Sequence, residues 1–159
     1  NLQKNIFLKK NNISAILFVL LIFIFDRFTK INIINNYSDN VFFINDFVNL
    51  DLIWNTGIGF GLLSVDSSFI YNLISVFIGL IILILFYVAL ISKTKDKLIF
   101  SVIIGGAIGN FYDRAIYKAV PDFIDVHYGN LHWFTFNTAD IFITMGVLIF
   151  LFKSTERKK

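Results

Sequence analysis

Two aspartates, Asp122 and Asp140, have the chemistry and the position needed for acid-catalysed hydrolysis. Neither has an obvious basic partner nearby in sequence, apart from Lys118. Two carboxyl groups about 3 Å apart cannot easily both ionise, so they share a proton. One carboxylate then activates water while the other carboxyl group protonates or hydrogen-bonds the scissile carbonyl. Such a pair hydrolyses a peptide bond without a covalent nucleophile or a metal ion.

Each aspartate also has a structural interpretation when it is considered alone. Asp140 fits a first-turn acid that the helix dipole stabilises, and Asp122 fits a loop residue that follows Pro121. These interpretations are favoured singly, whereas the two acids together favour catalysis. Asp125 is a third acid in the same loop, and the residues alone do not choose between it and Asp122.

The composition and the charge distribution are those of a membrane protein. Hydrophobic residues make up 57% of the 159 residues and charged residues only 16%. Ten of the 14 basic residues fall in three clusters, at residues 4–10, 93–97 and 153–159. Basic residues near span ends stay on the cytoplasmic side, so both termini and the 92–97 loop are predicted to be cytoplasmic. Topology and anionic lipid explain these clusters, and nucleic-acid binding is not predicted. The absence of cysteine excludes a disulfide, a thiolate metal site and a cysteine nucleophile.

The hydropathy pattern predicts a mainly α membrane protein with four transmembrane helices in a single domain, residues 1–159. The predicted spans are about 13–34, 69–91, 98–114 and 138–152, with outer loops at about 35–68 and 115–137. Apolar and polar residues alternate from Val48 to Asn55, a period of two that indicates a half-buried strand. The expected fold therefore includes a small extracytoplasmic β-sheet between spans one and two.

Three polar residues, Asp26, Asn110 and Asp140, are predicted to lie at one depth in separate spans. Each stands 12 or 13 residues from the cytoplasmic end of its span, which is about 18 to 20 Å at the helical rise. Asn137 shares a helix face with Asp140, three residues away. Ionisable groups at this depth are costly unless they are paired or hydrated, so the pattern predicts a polar cavity that opens outward.

Four charged residues near this cavity have a simpler explanation than catalysis. Asp26 and Lys30 are four residues apart, and Asp113 and Arg114 are adjacent, three and four residues after Asn110. The favoured interpretation is that Asp26 pairs with Lys30 and Asp113 with Arg114, which would lock the helix packing.

Other kinds of site fit the sequence less well. His127 and His132 are five residues apart in a predicted loop, so a helical metal pair is excluded and both are interpreted as interfacial histidines. Neither a metal nor a cofactor is predicted. Gly105 and Gly109 form a small-xxx-small face, which indicates close helix packing and not a phosphate loop.

Five motifs occur in order along the chain, from Asp26 to about Gly146. They are Asp26-Arg-Phe-Thr-Lys30, Asn55-Thr-Gly57 with Phe60-Gly61, Gly105-Gly-Ala-Ile-Gly-Asn110-Phe-Tyr-Asp113-Arg114, Val120-Pro-Asp122-Phe123 and Phe136-Asn137-Thr-Ala139-Asp140. Together they resemble the motifs of the lipoprotein signal peptidases, the signal peptidase II family.

The resemblance implies roles for individual residues. Asp122 and Asp140 occupy the aspartates of the family's catalytic dyad, which decides against Asp125. The residues that would line, orient or support this dyad are Asn110, Arg114, Asn137, Asp26, Lys30, Asn55, Gly57 and Asp113. Two departures are present: Lys118 stands where the family usually has Gly, and Ile58 and Gly59 stand where it has small alanines.

The resemblance also implies a substrate and a location. The expected activity is aspartic endopeptidase cleavage of the signal peptide from prolipoproteins that carry a diacylglyceryl-modified cysteine. The expected site is the outer face of the bacterial cytoplasmic membrane, under a cradle of outer strands. Membrane phospholipid is the other expected partner, and the chain is expected to be a monomer.

Two alternatives to a peptidase remain open at this point. A transporter or channel subunit would need polar residues through the full depth of the membrane, but the cytoplasmic two-thirds of spans one, three and four is apolar apart from serine and glycine. A structural membrane partner would dimerise through Gly105 and Gly109 and would tolerate Asn in place of Asp122 and Asp140.

Overall fold

The computed structural model of the chain describes residues 10–38, 40–57 and 68–156. These residues form four α-helices and four β-strands. The helices are α1 (Lys10–Asn36), α2 (Ser68–Ile91), α3 (Thr94–Tyr117) and α4 (Thr138–Glu156), and the strands are β1 (Phe42–Asn45), β2 (Val48–Asn55), β3 (Val120–Tyr128) and β4 (Leu131–Phe136). The predicted departures at Ile58 and Gly59, and the Phe60-Gly61 motif, lie outside the described residues.

Three helices in the described part of the chain are long and apolar enough to cross a membrane. They are the segments Asn11–Asn36, Phe69–Ile91 and Thr138–Glu156. Helix α3 is not among them because charged residues lie near both of its ends, from Lys95 to Lys97 and at Asp113 and Arg114. Hydropathy therefore identifies three of the four predicted spans.

Helix α3 is the central helix of the bundle and packs against α1, α2 and α4. Its glycines permit this close approach. A Cβ atom on Gly105 would lie 2.7 Å from Cβ of Ile22 on α1, and one on Gly109 would overlap the carboxylate of Asp26. Gly106 is equally close to the backbone of α4. The prediction that Gly105 and Gly109 mediate close helix packing is confirmed.

The apolar side chains of the helices fall into a small interior core and a large outer surface. The core of the bundle consists of Val19, Ile82, Ala89, Ile99, Phe100, Ile103 and Ile104. Outside it, large apolar residues such as Leu21, Phe28 and Leu83 are more than 60% exposed. Apolar surface of this extent, with polar groups directed inward, suits lipid as the surrounding solvent.

The four strands form one antiparallel sheet in the order β1-β2-β3-β4. The strand predicted around Val48–Asn55 is confirmed as β2. The prediction placed the sheet between spans one and two, but β3 and β4 come from the segment between α3 and α4. This loop lacks the alternating pattern of a strand because β3 is buried on both faces. Pro121 also argues against a strand in the sequence, and it lies near the beginning of β3.

Lys118 ends α3 in the left-handed conformation, with φ 58° and ψ 17°. Glycine adopts this conformation without steric cost and is the usual residue at such helix ends. The left-handed backbone therefore explains why the family usually has glycine at this position. Lys118 adopts the same conformation, and its side chain is exposed.

Replacing Gly105 with Ala should destabilise the bundle by roughly 1 to 3 kcal/mol, the range for overpacked cores. The added methyl group would meet Cβ of Ile22 and the carbonyl oxygen of Val19, and neither can move without the backbone of α1. Gly79→Ala is the matched control, because its methyl group would meet only the edge of the Phe111 ring at 3.2 Å. Unfolding in detergent should be unchanged or improved for this control. Equal losses in both variants would contradict the close α1–α3 contact.

Candidate active site

Strand β3 presents Asp122 to two asparagine side chains from other elements. Asn55 Nδ2, at the end of β2, donates to Asp122 Oδ2 at 2.8 Å, and Asn137 Nδ2 donates to Asp122 Oδ1 at 2.6 Å. Asp122 is only 2% exposed to solvent. Both oxygens are thus held by amide donors in an environment almost free of bulk solvent.

Asp140 lies in the first turn of α4, where three hydrogen bonds hold it. Asn110 Nδ2 of α3 donates to Asp140 Oδ1 at 2.8 Å, and the backbone N–H of Asn137 donates to Oδ2 at 3.1 Å. The backbone N–H of Asp140 donates in return to Asn137 Oδ1 at 3.2 Å. This reciprocal arrangement caps the helix N-terminus. Asp140 therefore stabilises the first turn of α4, as its position in the sequence predicts, in addition to any chemical role.

Asn137 connects the two aspartates. Its side-chain amide donates to Asp122, while its backbone N–H and side-chain oxygen bond to Asp140. Burial, together with the charge of Asp140, raises the pKa of Asp122 from 3.8 to about 6, against the opposing effects of the hydrogen bonds from Asn55 and Asn137 and of the Lys30 charge. The two carboxyl groups are therefore close enough for the ionisation of one to affect the other.

Lys30 of α1 is the centre of a buried charge network below the two aspartates. Its Nζ lies 2.9 Å from Asp26 Oδ2 and 2.7 Å from Asp113 Oδ2, and all three side chains are fully buried. Nζ also donates to Asn110 Oδ1 at 2.8 Å. Because Asn110 turns its oxygen to Lys30, its amide nitrogen points to Asp140. The predicted Asp26–Lys30 pair is confirmed, and it orients the Asn110 side chain.

The predicted pairing of Asp113 with Arg114 is wrong. Asp113 instead accepts from Lys30 and from Arg27 Nη1, at 2.5 Å. Adjacent residues on a helix point about 100° apart, so Asp113 faces α1 while Arg114 faces elsewhere. Arg114 Nη2 donates to the carbonyl oxygen of Gly57, and its guanidinium group lies 5.6 Å from the centre of the Tyr71 ring.

Gly57, two residues after β2, is held from two sides. Asn55 Oδ1 accepts from the backbone N–H of Gly57 at 2.8 Å, while Asn55 Nδ2 bonds to Asp122. Arg114 holds the carbonyl oxygen of Gly57. One asparagine side chain thus couples the position of Gly57 to that of the Asp122 carboxyl group.

Sequence reasoning missed two residues that complete the network. Arg27 lies within the Asp26-to-Lys30 motif but was given no role, although it is one of the few basic residues predicted at the depth of Asp113. Tyr71 had no sequence signal. It lies buried on α2, where its hydroxyl group donates to the carbonyl oxygen of Arg114 at 3.4 Å and its ring stacks below the guanidinium group.

Asp125, the alternative acid, is directed to different partners. Its Oδ2 lies 2.8 Å from His132 Nδ1 and 3.5 Å from His127 Nδ1. Asp122 and Asp125 are three residues apart on β3, so the alternation of a strand directs them to opposite faces. Asp122, and not Asp125, shares Asn137 with Asp140.

A groove of about 390 Å³ runs along α4 beside Asp140. Its lining is apolar apart from Asp140 and Thr144, and consists further of Phe134, Phe136, Ile141, Met145 and Leu148. The groove lies on the outer surface of a membrane helix and ends at a carboxyl group. It can therefore accept an apolar chain next to a carboxyl group.

The sequence model of signal peptidase (SPase) II matches residues 18–155 of the chain. The chain belongs to the signal peptidase II family. A lipoprotein signal peptidase of Pelagibacter ubique (strain HTCC1062) is 50% identical over 141 residues, which cover 87% of this chain and 85% of that protein. The lipoprotein signal peptidase of Anaplasma marginale (strain Florida) is 40% identical over 146 residues, covering 89% and 84%.

A solved structure has the same fold. It is a bacterial membrane enzyme determined by the in meso method at 2.3 Å resolution, with a TM-score of 0.71, 31% sequence identity and coverage of 92% of both chains. The resemblance expected from the motifs is confirmed. Membership makes this chain a hydrolase of the protease class and a bacterial membrane protein, which favours a peptidase over a transporter or a purely structural subunit.

Replacing Lys30 with Met should destabilise the protein by roughly 3 to 5 kcal/mol, because it leaves the buried carboxylates of Asp26 and Asp113 without their shared cation. Unfolding in detergent micelles measures this loss. Lys95→Met, at an exposed position of α3, should change stability by less than about 0.5 kcal/mol. If the two variants are equally stable, Lys30 does not hold α1 and α3 together.

The stability of the protein relative to its Asp122→Asn variant should fall as pH rises from about 4 to about 6. A folded-state pKa of about 6 against 3.8 in the unfolded chain means that the folded protein binds the proton more tightly, and this advantage disappears once Asp122 ionises. The expected change is about 3 kcal/mol. In an Asp140→Asn background the change should become smaller and end at a lower pH, because the charge that helps to raise the folded-state pKa of Asp122 is gone. A difference that stays constant over this range would exclude the raised pKa.

Proposed function

We propose that this protein is an aspartic endopeptidase in which Asp122 and Asp140 form the catalytic dyad. The observation that carries the proposal is the double contact of Asn137, which bonds to both carboxyl groups at once. The raised pKa of Asp122 supports it, because a dyad works with one proton shared between two acids. Asp125 has His132 as its partner and lies outside this arrangement.

The dyad would act through a water molecule. The ionised carboxylate takes a proton from water as the water oxygen attacks the scissile carbonyl carbon, while the protonated carboxyl group gives its proton to the carbonyl oxygen. The resulting tetrahedral intermediate collapses when the protonated carboxyl group gives its proton to the amide nitrogen, one hydroxyl group of the intermediate returns a proton to the other carboxylate, and the C–N bond breaks. Because the two acids titrate together, the shared proton belongs to the pair.

The supporting residues would keep the two carboxyl groups in position. Asn55 and Asn137 hold Asp122, and Asn110 holds Asp140. Behind them stand the residues that fix those asparagines or the adjoining loop, namely Lys30, Asp26, Asp113, Arg114 and Gly57. Rigid hydrogen-bonded support of this kind is what a two-acid mechanism requires, since a misplacement of about 1 Å is costly.

The proposed topology has four membrane spans within one peptidase domain, residues 1–159, in the bacterial cytoplasmic membrane. Helix α3 contains 24 residues, about 36 Å, which is enough to cross a hydrocarbon core of about 30 Å. Lys93 between α2 and α3, with Lys95 and Lys97 in the first turn of α3, supports a cytoplasmic position for that turn and for both termini. The sheet and the dyad then face the extracytoplasmic side.

The proposed substrate is a prolipoprotein whose signal peptide ends at a diacylglyceryl-modified cysteine. The relatives from Pelagibacter ubique and Anaplasma marginale are named lipoprotein signal peptidases. The apolar groove that ends at Asp140 supports this choice, because it can receive an acyl chain while the peptide bond lies at the dyad. Membrane phospholipid surrounds the protein, which is proposed to act as a monomer and without nucleic acid.

Cleavage of a diacylglyceryl prolipoprotein by purified protein in detergent tests this function. Asp122→Asn and Asp140→Asn should each lower the rate by at least about 100-fold, because Asn keeps the shape but can neither accept nor donate the proton. Asp125→Asn is the matched control: it lies on the same strand, is equally buried and should keep cutting.

The outcomes separate the parts of the proposal. Near wild-type cleavage by both dyad variants would show that the aspartic mechanism is wrong. Loss in Asp125→Asn, with retention in Asp122→Asn, would transfer the role to Asp125. If the wild-type protein cuts an unmodified preprotein as fast as the lipid-modified one, the lipid requirement is wrong and the peptidase assignment stands.

A further inference from the structure

A second cluster of titratable side chains lies on β3 and β4, away from the dyad. Asp125 and His127 are two residues apart on β3, so they share a face of the strand. His132 on β4 is the cross-strand partner of His127. One candidate ligand atom from each of the three residues lies within 4.8 Å of the others. Two imidazoles and one carboxylate are thus close enough together to share one ion.

An irregularity in the β3–β4 pairing creates this convergence. Val126 pairs with Phe134, but the next residue of β3, His127, pairs with His132 and not with Trp133. The extra residue on β4 is a bulge, a device that redirects a side chain. With regular pairing His132 would lie opposite Tyr128, one position further from Asp125. The bulge therefore places His132 where both other side chains can meet it.

The three side chains direct their possible metal-binding atoms at one another, and these atoms have few other partners. Asp125 is 2% exposed and His127 is 7% exposed. Nδ1 of His127 is buried, has no hydrogen-bond partner, and lies 3.5 Å from Asp125 Oδ2. A buried imidazole nitrogen without a partner costs free energy unless something binds it. The mechanism proposed for Asp122 and Asp140 uses none of these groups.

We propose that Asp125, His127 and His132 bind one zinc ion. Imidazole nitrogen and carboxylate oxygen are ligands that zinc accepts, with bonds of about 2.0 to 2.2 Å. Tetrahedral bonds of that length separate the ligand atoms by about 3.3 Å. The observed separations of 2.8 Å and 3.5 Å from Asp125 Oδ2 lie on either side of this value. Small side-chain rotations complete the geometry.

The chemistry of the donors selects the class of ion. Calcium and magnesium prefer sets of oxygen ligands, so a site with two imidazoles discriminates against them. The His132 side chain is 57% exposed, which leaves one side open for a water ligand and for entry of the ion. Zinc would take the place of the hydrogen bond between His132 Nδ1 and Asp125 Oδ2.

The site would cross-link β3 to β4 at the outer end of the hairpin. Strand β3 carries Asp122 at its other end, on the opposite face, so zinc would not touch the dyad. The expected role is to stabilise the sheet. This inference does not rest on the aspartic mechanism.

Zinc titration of the purified protein in detergent tests the site directly. The protein should be prepared without a polyhistidine tag and treated with a chelator before calorimetry with zinc chloride. We expect saturable binding of one Zn²⁺ per chain and a rise in the unfolding temperature, because a ligand that binds only the folded state stabilises it. His132→Ala should weaken binding by at least about tenfold and abolish the temperature rise, since loss of a second-shell group alone costs that much.

Two further variants make the result specific. Asn130→Ala, in the turn of the same hairpin, should bind zinc like the wild type. His132→Cys with cobalt in place of zinc should give a thiolate-to-cobalt absorption band, and the protein contains no other cysteine that could produce it. His132 is exposed, so neither of its variants depends on repacking the core.

The proposal is overturned by any of three results. These are no saturable zinc binding by the wild type, equal binding by His132→Ala, or a cobalt complex of His132→Cys without the thiolate band. A temperature rise with magnesium equal to that with zinc would likewise show that the cluster is not a transition-metal site.

Discussion

Ionised groups inside a membrane bundle must have partners, and this requirement organises the protein. Lys30 satisfies it for two helices at once, since its ammonium group contacts Asp26 of its own helix and Asp113 of α3. The remaining donor capacity of the lysine goes to the side-chain oxygen of Asn110. Charges in a low dielectric need partners, and the lysine that meets this need also fixes the neutral side-chain amide of Asn110. That amide in turn determines how Asp140 is presented.

The part of the site next to the sheet depends on asparagines that each bond in two directions. Asn137 joins the first turn of α4 to β3, and Asn55 joins the end of β2 to the same strand. Amides suit this purpose because one group donates and the other accepts, and neither adds charge. The acids can therefore change protonation state while the framework around them remains hydrogen-bonded.

The sequence predicted the parts of this structure that depend on local pattern. The helices, strand β2, the helix-packing role of Gly105 and the Asp26–Lys30 pair follow from periodicity and from spacing within one helix. The hairpin of the second loop did not follow, because a strand buried on both faces has no alternation. The partners of Asp113 and Arg114 did not follow either. They depend on how helices are rotated against each other, which adjacency in sequence does not encode.

The charges of α3 also have a consequence for biogenesis. Only Ser92 and Lys93 separate α3 from the strongly apolar α2, so on the proposed topology the two helices would enter the bilayer together as a hairpin. The bases that neutralise Asp113 lie on α1, which precedes α3 during synthesis. On this topology, the basic side chains that pair with Asp113 are thus already in the membrane when α3 leaves the ribosome. The order of the helices along the chain protects the least apolar of them during assembly.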